Sequence, residues 1–143
     1  MRLFFDSLVN LVDFIDLIDV RCPQCAYHAV VKHTGTTGAR FICKNCGLTK
    51  AYKGKTATLG KACDPYFGYK LYYALPFKGN IVWFYNSRHL TYVKKYIQAQ
   101  LRKRRKDAYG NRNTSLISRL PGFLKSRKNR EKLEKVIAKI EKL

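Results

Sequence analysis

Four cysteines fall into two pairs, Cys22-Pro23-Gln24-Cys25 and Cys43-Lys44-Asn45-Cys46, with seventeen residues between them. Thiolates are metal ligands, and a Cys-x-x-Cys segment turns tightly enough to aim both sulfurs at one ion. Two such knuckles supply the four thiolates of a closed tetrahedral zinc site. A closed site leaves no coordination position for substrate, so the expected cofactor is one structural Zn2+. The alternative is a redox pair or two disulfides. The spacing, and an odd total of five cysteines, favour metal in a reducing compartment, hence a cytoplasmic protein. Cys63 stands outside the pattern and reads as a small core residue. His28 and His33 lie near the site, but four cysteines already fill it.

The residues between the pairs must bring the two knuckles together. Tyr27 to Thr34 reads as a strand containing Val30 and Val31, Gly35-Thr36-Thr37-Gly38 as a turn, and Arg40-Phe41-Ile42 as the return strand. Gly47 suits the positive backbone angle that closes such a knuckle. Over residues 20–52 the chain resembles the zinc-ribbon family, in particular the ribbons of transcription factors and of small bacterial nucleic-acid-binding proteins. One departure is Ala26, where many ribbons carry glycine. The resemblance implies a metal-held scaffold in a protein that meets nucleic acid.

The charge points the same way. The chain has 29 basic and 9 acidic residues, a formal net charge of +20. Residues 1–20 carry −3, residues 21–85 carry +9 and residues 86–143 carry +14. Solubility needs only about 2–8 charges on a small domain. A larger excess repels itself, and a polyanion relieves that repulsion. The candidate phosphate contacts are Arg88, Lys94, Lys95, the run Arg102-Lys103-Arg104-Arg105-Lys106, then Arg112, Arg119, Lys125, Arg127, Lys128 and Arg130.

The elements that would carry these residues define an α+β chain in four regions. Residues 1–19 are expected to form an amphipathic helix, with a polar stripe of Asp6, Asn10, Asp13 and Asp16 on an apolar cylinder. It would pack on this chain's core or serve self-association or a protein partner through residues 3–18. Its carboxylates argue against a signal peptide and against a membrane span. Residues 20–52 form the ribbon. Residues 53–85 continue into a small antiparallel sheet, with strands Tyr69–Phe77 and Ile81–Tyr85 about a Lys78-Gly79-Asn80 turn; Pro76 makes the first an edge. Residues 86–143 form about three basic helices. The first is capped at Asn86-Ser87 and runs to about Asp107 on a Leu90, Val93, Ile97, Leu101 stripe. Ser115–Leu120 is a short helix or turn. The last is capped by Asn129, with Leu133, Val136, Ile137 and Ile140 inward. No internal repeat stands out.

No catalytic constellation is visible. Acids are scarce, and Asn86 with His89 is better explained as a capped helix start bearing a surface histidine. The expectation is a non-enzymatic nucleic-acid-binding protein, DNA favoured over RNA, serving regulation, replication or a mobile element. An RNA- or ribosome-associated factor and a protein-interaction adaptor are the alternatives. Tyr66, Phe67, Tyr69, Tyr72, Tyr73, Trp83, Phe84 and Tyr85 could stack on unpaired bases or simply form core.

Overall fold

A computed structural model describes residues 3–6, 10–34, 38–52, 59–99, 101–104, 116 and 120–143, with 3–6 and 101–104 described by backbone alone. The chain is mixed α and β. Its largest sheet has four antiparallel strands in sequence order: β2 (Leu17–Arg21), β3 (His28–Thr34), β4 (Gly38–Ile42) and β5 (Thr49–Tyr52). Side chains alternate between the two faces of a strand. Accordingly Ile18, Val20, Ala29, Val31, Ala39 and Phe41 are buried on one face. The same period leaves Lys32 and Arg40 exposed on the other.

Among the described residues of 3–18 there is no α-helix. Leu3–Asp6 is a strand, β1; Leu11–Phe14 is a single 3-10 turn, with the Asn10 N–H donating to Asp13 Oδ2 at 2.8 Å; β2 follows. The apolar residues fit either period, and pairing with β3 decides in favour of the strand. Phe14, Ile18 and Val20 enter this chain's own core.

The second antiparallel sheet is a hairpin of β6 (Tyr73–Phe77) and β7 (Asn80–Phe84). Its turn places both Lys78 (φ 45°) and Gly79 (φ 81°) in the left-handed region. That is the geometry whose twist matches a two-residue hairpin. Pro76 sits exposed on β6, which among the described residues pairs only with β7.

Helix α1 (Ser87–Gln98) and helix α3 (Arg130–Glu141) pack on each other and against this hairpin. Leu90, Val93 and Ile97 of α1 meet Leu133, Ile137 and Ile140 of α3 in one core. Each fully buried aliphatic side chain contributes about 1.5–3 kcal/mol. Between them lie a short helix, α2 (Gly122–Lys125), and a 3-10 turn at Arg127–Asn129. The Asn129 side chain makes no cap bond; it donates to Phe123 O at 3.1 Å and accepts from Lys78 Nζ at 2.8 Å. Helix α1 ends at Gln98, well short of residue 107, because the backbone turns extended at Ala99 and Leu101–Arg104 becomes a strand, β8. It pairs in parallel with β1, Leu3 opposite Leu101. The Ser115–Leu120 segment lies largely outside the described residues, of which Leu116 is buried.

Asn86 joins the two halves. It is buried, and its Oδ1 accepts the His89 N–H at 2.9 Å as the cap of α1. Its amide donates to Phe14 O at 2.7 Å and Leu17 O at 2.8 Å.

A candidate metal centre and the basic side chains

The knuckles are the same turn made twice. The first cysteine's carbonyl accepts the N–H of the fifth residue: Ala26 to Cys22 at 2.8 Å, Gly47 to Cys43 at 3.0 Å. Its own N–H donates to the carbonyl of the sixth: Tyr27 and Leu48, both at 2.9 Å. The fifth residue takes a positive φ, 64° at Ala26 and 80° at Gly47. Ala26 therefore holds a conformation that glycine adopts freely and alanine does not.

The hairpin β3–β4 sets the two turns side by side. The four sulfurs lie within 4.8 Å of one another, with Cys22–Cys46 and Cys25–Cys43 each at 3.6 Å. A tetrahedral ion with metal–sulfur bonds of about 2.3 Å separates its sulfurs by about 3.8 Å, whereas a disulfide needs about 2.05 Å. The spacing fits a shared ion and no disulfide; all four cysteines are free. Cys22 and Cys43 are buried, Cys25 and Cys46 half-buried. The Gln24 N–H approaches Cys22 Sγ at 3.4 Å. The Asn45 side chain and then the Tyr27 N–H hold the Cys25 thiol down at about 6. Cys46 also receives the Leu48 N–H, which favours its thiolate, yet burial and the neighbouring sulfurs push it up to about 12. A crowded sulfur cluster that resists a further negative charge is what a cation would relieve. These four residues can hold one metal ion.

A third turn of this kind follows. Knuckles begin at residues 22, 43 and 64, equal steps of 21. Asp64 N donates to Tyr69 O at 2.9 Å, Gly68 N donates to Asp64 O at 3.1 Å, and Gly68 has φ 77°. Here a buried carboxylate replaces sulfur and metal. Asp64 Oδ1 accepts from Tyr66 N (2.9 Å) and Phe67 N (2.6 Å), and Oδ2 from Tyr69 N (2.7 Å). Phe67 stands where the second cysteine would, 6.2 Å from the Phe41 ring centroid. The same turn geometry therefore recurs three times, and sequence reading missed the third because both ligand positions changed type. Gly68 at the fifth place was the surviving signal.

None of the histidines joins the sulfur cluster. His28 Nε2 lies 2.6 Å from Asp19 Oδ1, and His33 Nδ1 lies 3.0 Å from the Tyr66 hydroxyl. His89 is not a surface residue. It is buried among Phe14, Trp83, Phe84 and Tyr85, its Nδ1 accepts the Tyr85 N–H at 3.0 Å, and burial pushes its pKa down to about 3. It lines a mostly apolar cavity of about 500 Å³ with Val12, Leu59, Ile81 and Trp83 among the other walls. Tyr66, Phe67 and Tyr69 form an aromatic cluster with Phe41 and Tyr52, while Phe84 and Tyr85 are buried. Cys63 is half-buried, and its backbone forms an isolated antiparallel β-bridge with that of Lys70.

The basic residues singled out in the sequence have different placements. Arg88 pairs with Asp16, and Lys94 Nζ reaches Glu141 Oε1 at 2.9 Å. Lys95, Arg127 and Lys128 are exposed, whereas Lys125 and Arg130 are half-buried. Arg130 Nε is buried with no hydrogen-bond partner. Arg102, Lys103 and Arg104 lie on β8 opposite Phe4, Phe5 and Asp6. Arg105, Lys106, Arg112 and Arg119 lie outside the described residues. No described helix is long and apolar enough to cross a membrane.

No family model, curated protein or solved structure matches this chain.

Proposed function

We propose that this chain is a zinc-ribbon nucleic-acid-binding protein, with DNA favoured over RNA and a role in regulation, replication or a mobile element. One structural zinc at Cys22, Cys25, Cys43 and Cys46 orients the sheet, and cations after Asn86 contribute phosphate contacts. The observation that carries the reading is the charge balance after folding. The chain has nine acidic side chains against 29 basic ones. Five of those acids already have partners: Asp16 with Arg88, Asp19 with His28, Glu141 with Lys94, Asp13 with the Asn10 N–H, and Asp64 with three backbone N–H groups. The remaining acids are too few to neutralise the surface, and phosphates with counterion release would do so.

An RNA target rests on the same chemistry. The adaptor reading has less support, since Phe14, Ile18 and Val20 are spent in the chain's own core. The test is fluorescence anisotropy of the zinc-loaded chain with duplex DNA, single-stranded DNA and structured RNA across a salt series. Binding should weaken steeply with salt, log K falling linearly in log salt. Absence of binding to all three at ~100 mM salt would reject the reading.

A further inference from the structure

The exposed face of the ribbon sheet is built from residues outside the helical cations. Register places Lys32 directly opposite Arg40, Val30 opposite Ile42, and Arg21 opposite His28. Side-chain alternation puts all six on the face away from the core, with Leu17 opposite Lys32 and Asp19 opposite Val30; Lys32, Arg40 and His28 are exposed, Val30, Ile42 and Arg21 half-buried, and the Asp19 carboxylate is buried against His28 Nε2 at 2.6 Å. Like charges directly opposite on neighbouring strands repel. Neither Lys32 nor Arg40 has a carboxylate partner among the described residues. At the other end of the face the Arg21 guanidinium lies over the Tyr72 ring, 5.2 Å from its centroid. The His28 ring packs on the same tyrosine at 4.5 Å.

We propose that this face binds single-stranded nucleic acid, an inference that rests on the function proposed above and names the surface and strand type. Three zones follow one another along β3 over about 13 Å, the rise of four residues. Lys32 and Arg40 attract a phosphate. Val30 and Ile42 present apolar ground. Arg21 and His28, backed by Tyr72, present flat groups on which a base stacks. A duplex keeps its bases inside and gains little from the middle and far zones. An unpaired strand uses all three, phosphate on cation and base on apolar or flat surface. The opposed cations are unfavourable in the free protein, so a bound phosphate removes a repulsion as well as adding an attraction.

The test uses the zinc-loaded full chain and an oligothymidine of about 20 nucleotides, read by anisotropy against salt. Lys32→Gln with Arg40→Gln should weaken oligothymidine binding by about tenfold or more. It should reduce the salt slope by about 0.7, the one phosphate that the pair holds. Thermal stability should hold or rise, because a repulsive pair has gone, which separates lost contact from lost fold. Lys50→Gln with Lys61→Gln, the same charge change on exposed positions before Asn86 and off this face, should leave affinity within about twofold. Unchanged oligothymidine binding by the sheet variant overturns the inference and leaves the general function standing. An equal loss on duplex DNA overturns the assignment to single strands. Failure of the unaltered chain to bind any nucleic acid overturns both.

Discussion

The fifth position of each knuckle supplies a prediction whose magnitude follows from the backbone alone. Ala26, Gly47 and Gly68 all adopt a left-handed φ, at 64°, 80° and 77°. A Cβ built at Gly47 or Gly68 meets nothing within 4 Å. The cost of a side chain there is thus conformational and not steric crowding. That cost is about 1–2 kcal/mol for a non-glycine residue, offset in part by the greater freedom glycine brings to the unfolded chain. Ala26→Gly should stabilise the protein by about 0.5–1 kcal/mol, and Gly47→Ala and Gly68→Ala should each destabilise it by about 1 kcal/mol. For a chain of this size, 1 kcal/mol moves Tm by roughly 3 °C. Calorimetry of the metal-saturated chain at fixed free metal, with all three variants side by side, reads the effect. Metal concentration must be constant because bound ligand itself raises Tm. If Ala26→Gly is neutral or destabilising while both Gly→Ala variants are tolerated, the three turns do not share this conformation.

Two further outcomes follow from buried polar groups. His89 is held neutral with its pKa near 3, while in the unfolded chain it titrates near 6.5. Its contribution is complete above about pH 6.5 and is lost as pH falls towards 3, because there the unfolded chain binds a proton that the folded chain does not. The slope reaches about 1.4 kcal/mol per pH unit. The difference in stability between wild type and His89→Asn, followed by urea titration from pH 7 to 5, should shift against the wild type as pH drops; a pH-independent difference would contradict a buried neutral imidazole. Asp64→Asn leaves an amide where Oδ2 now accepts the Tyr69 N–H, at a cost of about 2–3 kcal/mol. Tm should fall by roughly 6–9 °C with metal content unchanged, and an unaltered Tm would show that the carboxylate does not close the third turn.

The parts legible in the sequence were those where chemistry constrains residue type. The cysteine spacing, the Gly47 turn, the β3–β4 hairpin, the Asn86 cap and the Leu133–Ile140 stripe each follow from local rules. The errors came where a distant partner decides. Residues 3–18 carry apolar spacings that suit a helix, yet Ile18 and Val20 are buried on a strand because β3 lies beside them. Leu101 continues the stripe of α1, but pairing with Leu3 turns it into a strand, and no glycine or proline marks the change. His89 is placed as any first-turn residue would be, and only the packing of Phe14 and Trp83 buries it. The Lys32–Arg40 opposition depends on strand register, which the masking of a charge total by region conceals.

Metal content tests the central claim, that Cys22, Cys25, Cys43 and Cys46 act as one closed metal centre. Zinc measured per chain in protein purified under reducing conditions should be about one, and should fall to near none in Cys22→Ser with Cys46→Ser, together with loss of ordered ribbon structure. A chain that keeps its fold with no bound metal, or that carries its cysteines as disulfides, would contradict the account.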